Sequence, residues 1–100
     1  YVQGNIHAGE IEGKEALQQL LRELVLDPRP NVLDSLVLVA VPIYNADGNE
    51  KVGPQARQRS EQNGPELVGQ RPNAAGLDLN RDYIKAEAPE TRAALALLNA

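Results

Sequence analysis

The sequence lacks several residue types, and these absences limit the fold. Its 100 residues include no cysteine, methionine, phenylalanine or tryptophan. Without cysteine, no disulfide can brace the chain. The three aromatic residues are all tyrosines, so a core has to be built from Leu, Val, Ile and Ala. We expect that core to be thin, because small domains bury a smaller share of their surface than large ones.

Blocks of positive charge and long apolar runs are also missing. The net charge is -4, and the 10 Lys and Arg residues form no cluster. Nucleic acid is therefore not expected as a partner. No apolar run reaches the roughly 18 residues that a membrane span needs, and no signal peptide is visible.

The absence of methionine further predicts that the chain is an excised piece of a longer protein. It opens directly on a strand-like run, residues 1–6. It stops within the helical pattern of residues 93–100, with no glycine or proline stop signal after it. We therefore expect part of the fold to lie outside these 100 residues.

The apolar pattern of the first half predicts a strand, a helix and a second strand. Residues 1–6 alternate weakly, as in a strand. Residues 14–26 carry one apolar stripe and predict a helix, which Asp27 and Pro28 end. Residues 35–43 form a continuous apolar, β-branched run. Such a run is typical of a strand buried on both faces in a parallel sheet.

The second half has less regular patterning. Residues 44–77 show no periodicity, and a stretch of that length in a compact domain is usually functional or disordered. Residues 78–86 are ambiguous, whereas residues 89–99 predict a helix with Pro89 in its first turn. The order strand, helix, strand, long loop, helix indicates a layered α/β fold.

His7-Ala8-Gly9-Glu10 is the first feature that carries chemistry. It lies between the first predicted strand and the first predicted helix. A neutral imidazole and a carboxylate three residues apart can converge on one point, and both are good zinc ligands. The alternative is that Glu10 and Glu12 are carboxylates at a helix N-terminus, where negative charge is favoured anyway.

A second cluster runs from Arg71 to Arg81. Arg81 can grip a carboxylate through two hydrogen bonds, and Asn80 can donate an amide N–H to the same group. Arg71 offers a second positive charge, suited to a developing oxyanion. The alternative is a surface loop with solvated arginines, in which Asp78 is a turn or ion-pair residue.

Asn45-Ala46-Asp47-Gly48 is the third feature. The Asp-Gly pair predicts a tight turn that leaves the buried strand, and Asn45 supports it. This turn could also shape the following loop toward the site.

Together, Ile6-His7-Ala8-Gly9-Glu10, Asn45-Ala46-Asp47-Gly48 and Gly76-Leu77-Asp78-Leu79-Asn80-Arg81 resemble the zinc carboxypeptidase family, the carboxypeptidase A/B-type metallopeptidases. The resemblance implies that residues 1–100 are the amino-terminal portion of the catalytic domain. It also implies part of a three-layer α/β/α sandwich with a mixed, mainly parallel sheet. One departure is Ala46, which stands where the family often has proline.

The resemblance implies a role for each matching residue. His7 and Glu10 are implied to bind Zn²⁺, with Asp78 orienting the histidine from behind. Asn80 and Arg81 are implied to bind the free carboxylate of a peptide substrate. Arg71 is implied to polarise the scissile carbonyl and steady the oxyanion.

The resemblance also implies what this chain lacks. The third zinc ligand and a glutamate general base are expected outside the chain, since His7 is its one histidine. The parent enzyme is then a zinc metallocarboxypeptidase, for which a periplasmic or secreted location is slightly favoured, and the 100 residues alone are expected to be inactive.

Two other functions fit parts of the pattern. Deacylases of the aspartoacylase type also combine a His/Glu zinc pair with an Asn-Arg carboxylate clamp, although their first motif usually has Asn-Glu where this chain has Gly9-Glu10. The other alternative is a non-catalytic carboxylate-binding module that keeps Asn80 and Arg81 without the remaining catalytic groups.

Overall fold

The protein is a mixed α/β chain, and a computed structural model describes all 100 residues. Its four helices are α1 (Glu12–Leu26), α2 (Ala46–Glu50), α3 (Gln55–Gln58) and α4 (Pro89–Leu98). Its four short strands are β1 (Val2–Gln3), β2 (Ala40–Val41), β3 (Gly53–Pro54) and β4 (Leu67–Val68). Two 3₁₀ turns cover Val32–Asp34 and Leu79–Arg81.

The strands form two separate two-stranded sheets. β1 pairs with β2 in parallel, with Val2 opposite Ala40 and Gln3 opposite Val41. A strand is therefore confirmed in each of the two predicted segments, and the two strands are parallel, although each is shorter than its apolar pattern. β3 and β4 pair in antiparallel fashion inside the stretch that shows no periodicity. The mixed α/β class is confirmed, and the three-layer sandwich stays a prediction.

The predicted burial of residues 35–43 is wrong in this chain. Only Ala40 and Val41 are strand, and the side chains of Leu36 and Val37 are 65% and 91% exposed. The reason is that burial on both faces needs a layer on each side of the sheet. β2 has β1 as its one strand neighbour, and nothing covers Leu36 and Val37.

Both long helices lie close to their predicted positions. α1 has carboxylates in its first turn, where the helix dipole favours them, and it ends at Asp27 ahead of Pro28. α4 begins at Pro89, whose fixed φ suits a first helical turn. None of the helices has both the length and the apolar character needed to cross a bilayer.

The core lies between the β1–β2 pair and α4. Tyr44, Leu79, Ala88 and Ala94 are its buried members, and Ile6, Val41 and Leu77 pack partly against them. Leu79 is fully buried, so it anchors the 3₁₀ turn that carries its two neighbours in sequence, Asp78 and Asn80. A core residue thus fixes the position of the predicted substrate-binding loop.

Candidate functional site

The turn that presents His7 is organised around Asn5, directly after β1. Asn5 has a φ of 59°, a left-handed conformation that asparagine tolerates better than most residues. Its side-chain amide donates to the carbonyl oxygens of Ala8 at 3.3 Å and Glu10 at 3.1 Å. These bonds close the turn over a buried side chain and place His7 and Glu10 on it.

The imidazole of His7 lies between two carboxylates. Its Nδ1 is 2.9 Å from Oε1 of Glu10, and its Nε2 is 2.9 Å from Oδ1 of Asp78. A neutral imidazole has one N–H, so it can donate to only one of these oxygens. If Nε2 carries the proton, the lone pair of Nδ1 faces an oxygen of Glu10. A cation that shares Nδ1 and Glu10 would remove that repulsion.

Three groups, from His7, Arg71 and Asn80, lie within hydrogen-bonding distance of the Asp78 carboxylate. Nε of Arg71 donates to Oδ2 at 2.9 Å, and the backbone N–H of Asn80 donates to Oδ1 at 3.0 Å. Burial by itself raises the pKa of the Asp78 carboxyl, but the hydrogen bonds from His7, Arg71 and Asn80 outweigh it and hold that pKa below its usual value. Asp78 therefore stays a carboxylate that fixes the orientation of His7.

The predicted substrate-binding residues occupy one side of this group. The side chain of Arg71 is 41% exposed, and its Nη1 lies 4.0 Å from Oε1 of Glu10. Asn80 and Arg81 are exposed on the Leu79–Arg81 turn. Arg81 forms no ion pair, and its Nη1 donates to the carbonyl oxygen of Asn80. The structure thus brings His7, Glu10, Arg71 and Asp78 together and leaves Asn80 and Arg81 at the surface beside them.

The Asn45–Gly48 segment begins the short helix α2 instead of forming a simple tight turn. The Oδ1 of Asn45 accepts from the N–H of Gly48 at 2.9 Å and so caps α2. Its Nδ2 donates to the carbonyl oxygen of Arg71 at 3.0 Å. Asn45 therefore does shape the loop that carries Arg71, as the sequence suggested.

Asn73 is a buried residue that sequence analysis missed. Its Oδ1 accepts from the N–H groups of Ala75 and Leu77, and its Nδ2 donates to both carboxylate oxygens of Glu90 on α4. It thereby joins the loop before Asp78 to a helix. The available signal was an asparagine in a polar, glycine-containing stretch, where the side chain often closes a turn on the backbone.

Glycine allows the loops of the site to cross at close range. A Cβ at Gly69 would lie 2.6 Å from Cβ of Ala8 and 2.6 Å from the carbonyl oxygen of Gly48. Contacts that short do not occur with a real side chain, so this crossing requires glycine. It brings the turn that bears His7 against the loop that leads to Arg71.

Arg59 is the second site residue that sequence analysis missed. Its Nη2 is 2.9 Å from Oε1 of Glu10, and its Nη1 is 2.8 Å from Oε1 of Glu61. It follows α3 in the stretch without periodicity, where an arginine carries no sequence signal. Only the tertiary fold shows that it lies against Glu10.

The donor atoms present suit a zinc ion only in part. The chain has no group of three or more His, Cys, Asp or Glu side chains placed to hold a metal ion. Glu10 and Asp78 lie at opposite ring nitrogens of His7, so only one of them can share a metal with the imidazole. His7 and Glu10 supply one nitrogen and one carboxylate oxygen, a donor pair that zinc accepts.

Comparison with protein families gives one match. The model of the zinc carboxypeptidase family matches residues 1–95 of the chain. No match was found among the curated proteins or among the solved structures.

Proposed function

We propose that this chain, which belongs to the zinc carboxypeptidase family, is the amino-terminal portion of a catalytic domain that hydrolyses the C-terminal peptide bond of peptides. Membership of the family supports a peptidase-type hydrolase. The observation that carries the finer proposal is the placement of His7, whose two ring nitrogens each face a carboxylate at 2.9 Å. That arrangement suits one cation at Nδ1 and a fixed orienting carboxylate at Nε2.

In this proposal His7 and Glu10 hold the zinc, and Asp78 orients His7. A bound zinc ion supplies Lewis acidity and lowers the pKa of a bound water to about 7. Catalytic zinc sites normally have three protein ligands. The third ligand and the general base are therefore proposed to come from residues outside this chain, in the same three-layer α/β/α domain.

The exposed arginines are proposed to recognise the substrate. Arg81 has no carboxylate partner in the protein, so its guanidinium is free to pair with the terminal carboxylate of a peptide, with the amide of Asn80 beside it. Arg71 uses Nε to hold Asp78, which leaves its Nη nitrogens to stabilise the oxyanion of the scissile carbonyl.

The test is a paired assay on the intact enzyme. One peptide is offered with a free C-terminal carboxylate and with an amidated C-terminus, alongside an N-acylated amino acid, and released amino acids are measured by mass spectrometry. We expect release from the free acid only, and loss of release after zinc is removed by a chelator. Arg81→Ala should weaken kcat/KM by about 10- to 100-fold, since a charge-assisted bond contributes about 1.5–3 kcal/mol.

Three results would contradict the proposal. Equal cleavage of the amidated peptide would exclude a carboxylate clamp at Asn80 and Arg81. Turnover of the acylated amino acid alone would indicate a deacylase, and binding of C-terminal peptides without any turnover would indicate a non-catalytic module. Arg92→Ala is the matched control, because Arg92 bonds only backbone carbonyls near α4.

A further inference from the structure

Arg59 is fixed over the turn that carries His7 and Glu10. Its backbone N–H donates to the carbonyl oxygen of Gln55 at 2.7 Å, and the side chain of Gln55 donates back to the carbonyl of Arg59. A Cβ at Gly9 would lie 3.3 Å from Cβ of Arg59, so the arginine packs closely on this glycine. The side chain is only 22% exposed. Arg59 is thus held by backbone hydrogen bonds and by packing on Gly9, while its buried Nε has no hydrogen-bond partner.

The guanidinium of Arg59 bridges two carboxylates of different character. Nη2 approaches Oε1 of Glu10, whose side chain is 31% exposed, and Nη1 approaches Oε1 of Glu61, whose side chain is 62% exposed. The other oxygen of Glu10, Oε2, has no hydrogen bond and no ion pair. Arg59 therefore restrains one oxygen of Glu10 and leaves the other free for a cation.

A positive charge next to a metal site can also repel the metal, so the two effects have to be weighed. Glu61 is 2.8 Å from the guanidinium and compensates its charge. Because the charges of Arg59 and Glu61 nearly cancel, the pair exerts only a weak repulsion on a cation bound at Glu10. The restraint on the Glu10 carboxylate remains, because it depends on direct contact. Orientation should therefore outweigh repulsion.

We propose that Arg59 is a positioning residue for the metal ligand Glu10, in the way that Asp78 is one for His7, and that Glu61 in turn orients Arg59. This inference rests on the proposed function, since it assumes that Glu10 binds zinc. The two ligands then have matching supports: the pair Arg71–Asp78 behind His7, and the pair Glu61–Arg59 behind Glu10. Partners of this kind commonly change metal affinity by about 10- to 100-fold.

The experiment measures the Kd for Zn²⁺ of the intact enzyme by competition with a chromophoric chelator. Arg59→Ala should raise the Kd about 10- to 100-fold. Arg59→Lys should fall between this variant and the wild type, because an ammonium group cannot bridge Glu10 and Glu61 as a planar guanidinium does. Glu61→Ala should raise the Kd less than Arg59→Ala. The visible absorption spectrum of the Co²⁺-substituted enzyme should also change in Arg59→Ala, since the Glu10 ligand is reoriented.

Arg57→Ala is the control, because Arg57 is exposed on α3 and has no ion pair. Its Kd for Zn²⁺ should equal that of the wild type. An unchanged or lower Kd in Arg59→Ala would overturn the inference, the lower value meaning that Arg59 repels the metal. If Arg59→Ala does not fold, Arg59→Lys decides: a Kd equal to that of the wild type overturns the inference.

His7→Ala separates this inference from the proposed function. If His7→Ala binds Zn²⁺ as tightly as the wild type, the proposed zinc site itself is wrong. If His7→Ala loses Zn²⁺ while Arg59→Ala keeps it, only the role of Arg59 is overturned.

Discussion

The loops around His7 and the segment from residue 18 to residue 43 differ in where they place polar and apolar side chains. The polar loops and the start of α4 contain all of the buried polar side chains: Asn5, His7, Asn45, Asn73, Asp82 and Thr91. The segment 18–43 contains most of the long apolar runs, yet none of its residues is buried. The usual assignment of polar residues to the surface and apolar residues to the core is therefore inverted between these two regions.

The difference shows what holds the site in place. Burying a polar group is costly unless it is hydrogen-bonded. Asn5 and Asn73 bond to backbone groups of their own turns, and Asn45 bonds to the backbone of the loop that carries Arg71. The site is thus positioned by directional bonds, together with the core contacts of Leu79 and of Ile6 and Leu77, the residues next to His7 and Asp78. In contrast, the segment 18–43 leaves many apolar side chains exposed, and its β2 supports the site by pairing with β1 and packing Val41 against the core.

The largest effect is expected from removing the fully buried side chain of Leu79. Leu79→Ala should destabilise the chain by about 2–5 kcal/mol, because it leaves a cavity at a fully buried position under Asp78 and Asn80. Val37→Ala, in the exposed segment, should change stability by less than about 0.5 kcal/mol. Urea denaturation of both variants measures the contrast, and equal losses would show that Val37 is buried in the folded protein.

A smaller effect is expected from a buried polar group. Asn73→Ala leaves the N–H groups of Ala75 and Leu77 and the carboxylate of Glu90 without their partner. We expect a loss of about 1–3 kcal/mol, the cost of unsatisfied buried groups. Hydrogen exchange at the amides of Ala75 and Leu77 should accelerate as well. Asn63→Ala is the control, since Asn63 is exposed. An equal loss of stability in this variant would show that the buried hydrogen bonds of Asn73 make no specific contribution.

The smallest effect depends on pH and disappears in acid. Burial by itself raises the pKa of Asp82, but the N–H groups of Ala88 and Glu87, which bond its carboxylate at 2.8 Å and 3.0 Å, hold that pKa below its usual value. A lowered pKa stabilises the fold above the unfolded value of about 3.9. That stabilisation is lost as the pH falls through the lower, folded-state pKa.

Asp82→Asn should therefore be less stable than the wild type near neutral pH, and the gap should close as the pH falls below about 4. Urea midpoints measured between about pH 3 and pH 6 give the comparison. A gap that stays constant across this range would show that the ionised carboxylate of Asp82 does not contribute to stability.

Much of the fold could be predicted where a local pattern decides it. The stripe of α1 and the proline that begins α4 are local signals, and both helices lie within two residues of their predicted bounds. The presence of a strand in residues 1–6 and another in residues 35–43 was also predicted, whereas their pairing comes from the structure. The exposure of Leu36 and Val37 was not predicted, because it depends on which layers cover the sheet, and a strand's own residues do not carry that information.

The sequence by itself determined the chemical inventory of the site and the membership of the zinc carboxypeptidase family, since motif residues such as His7, Glu10, Asn80 and Arg81 are set by type and spacing. Only the tertiary structure decided which groups meet. The contact of His7 with Asp78 joins residues 71 positions apart, and that of Glu10 with Arg59 also joins residues distant in the sequence. The physical reason is that these contacts depend on how polar loops cross, and buried hydrogen bonds and close glycine contacts fix that crossing without any periodic pattern in the chain.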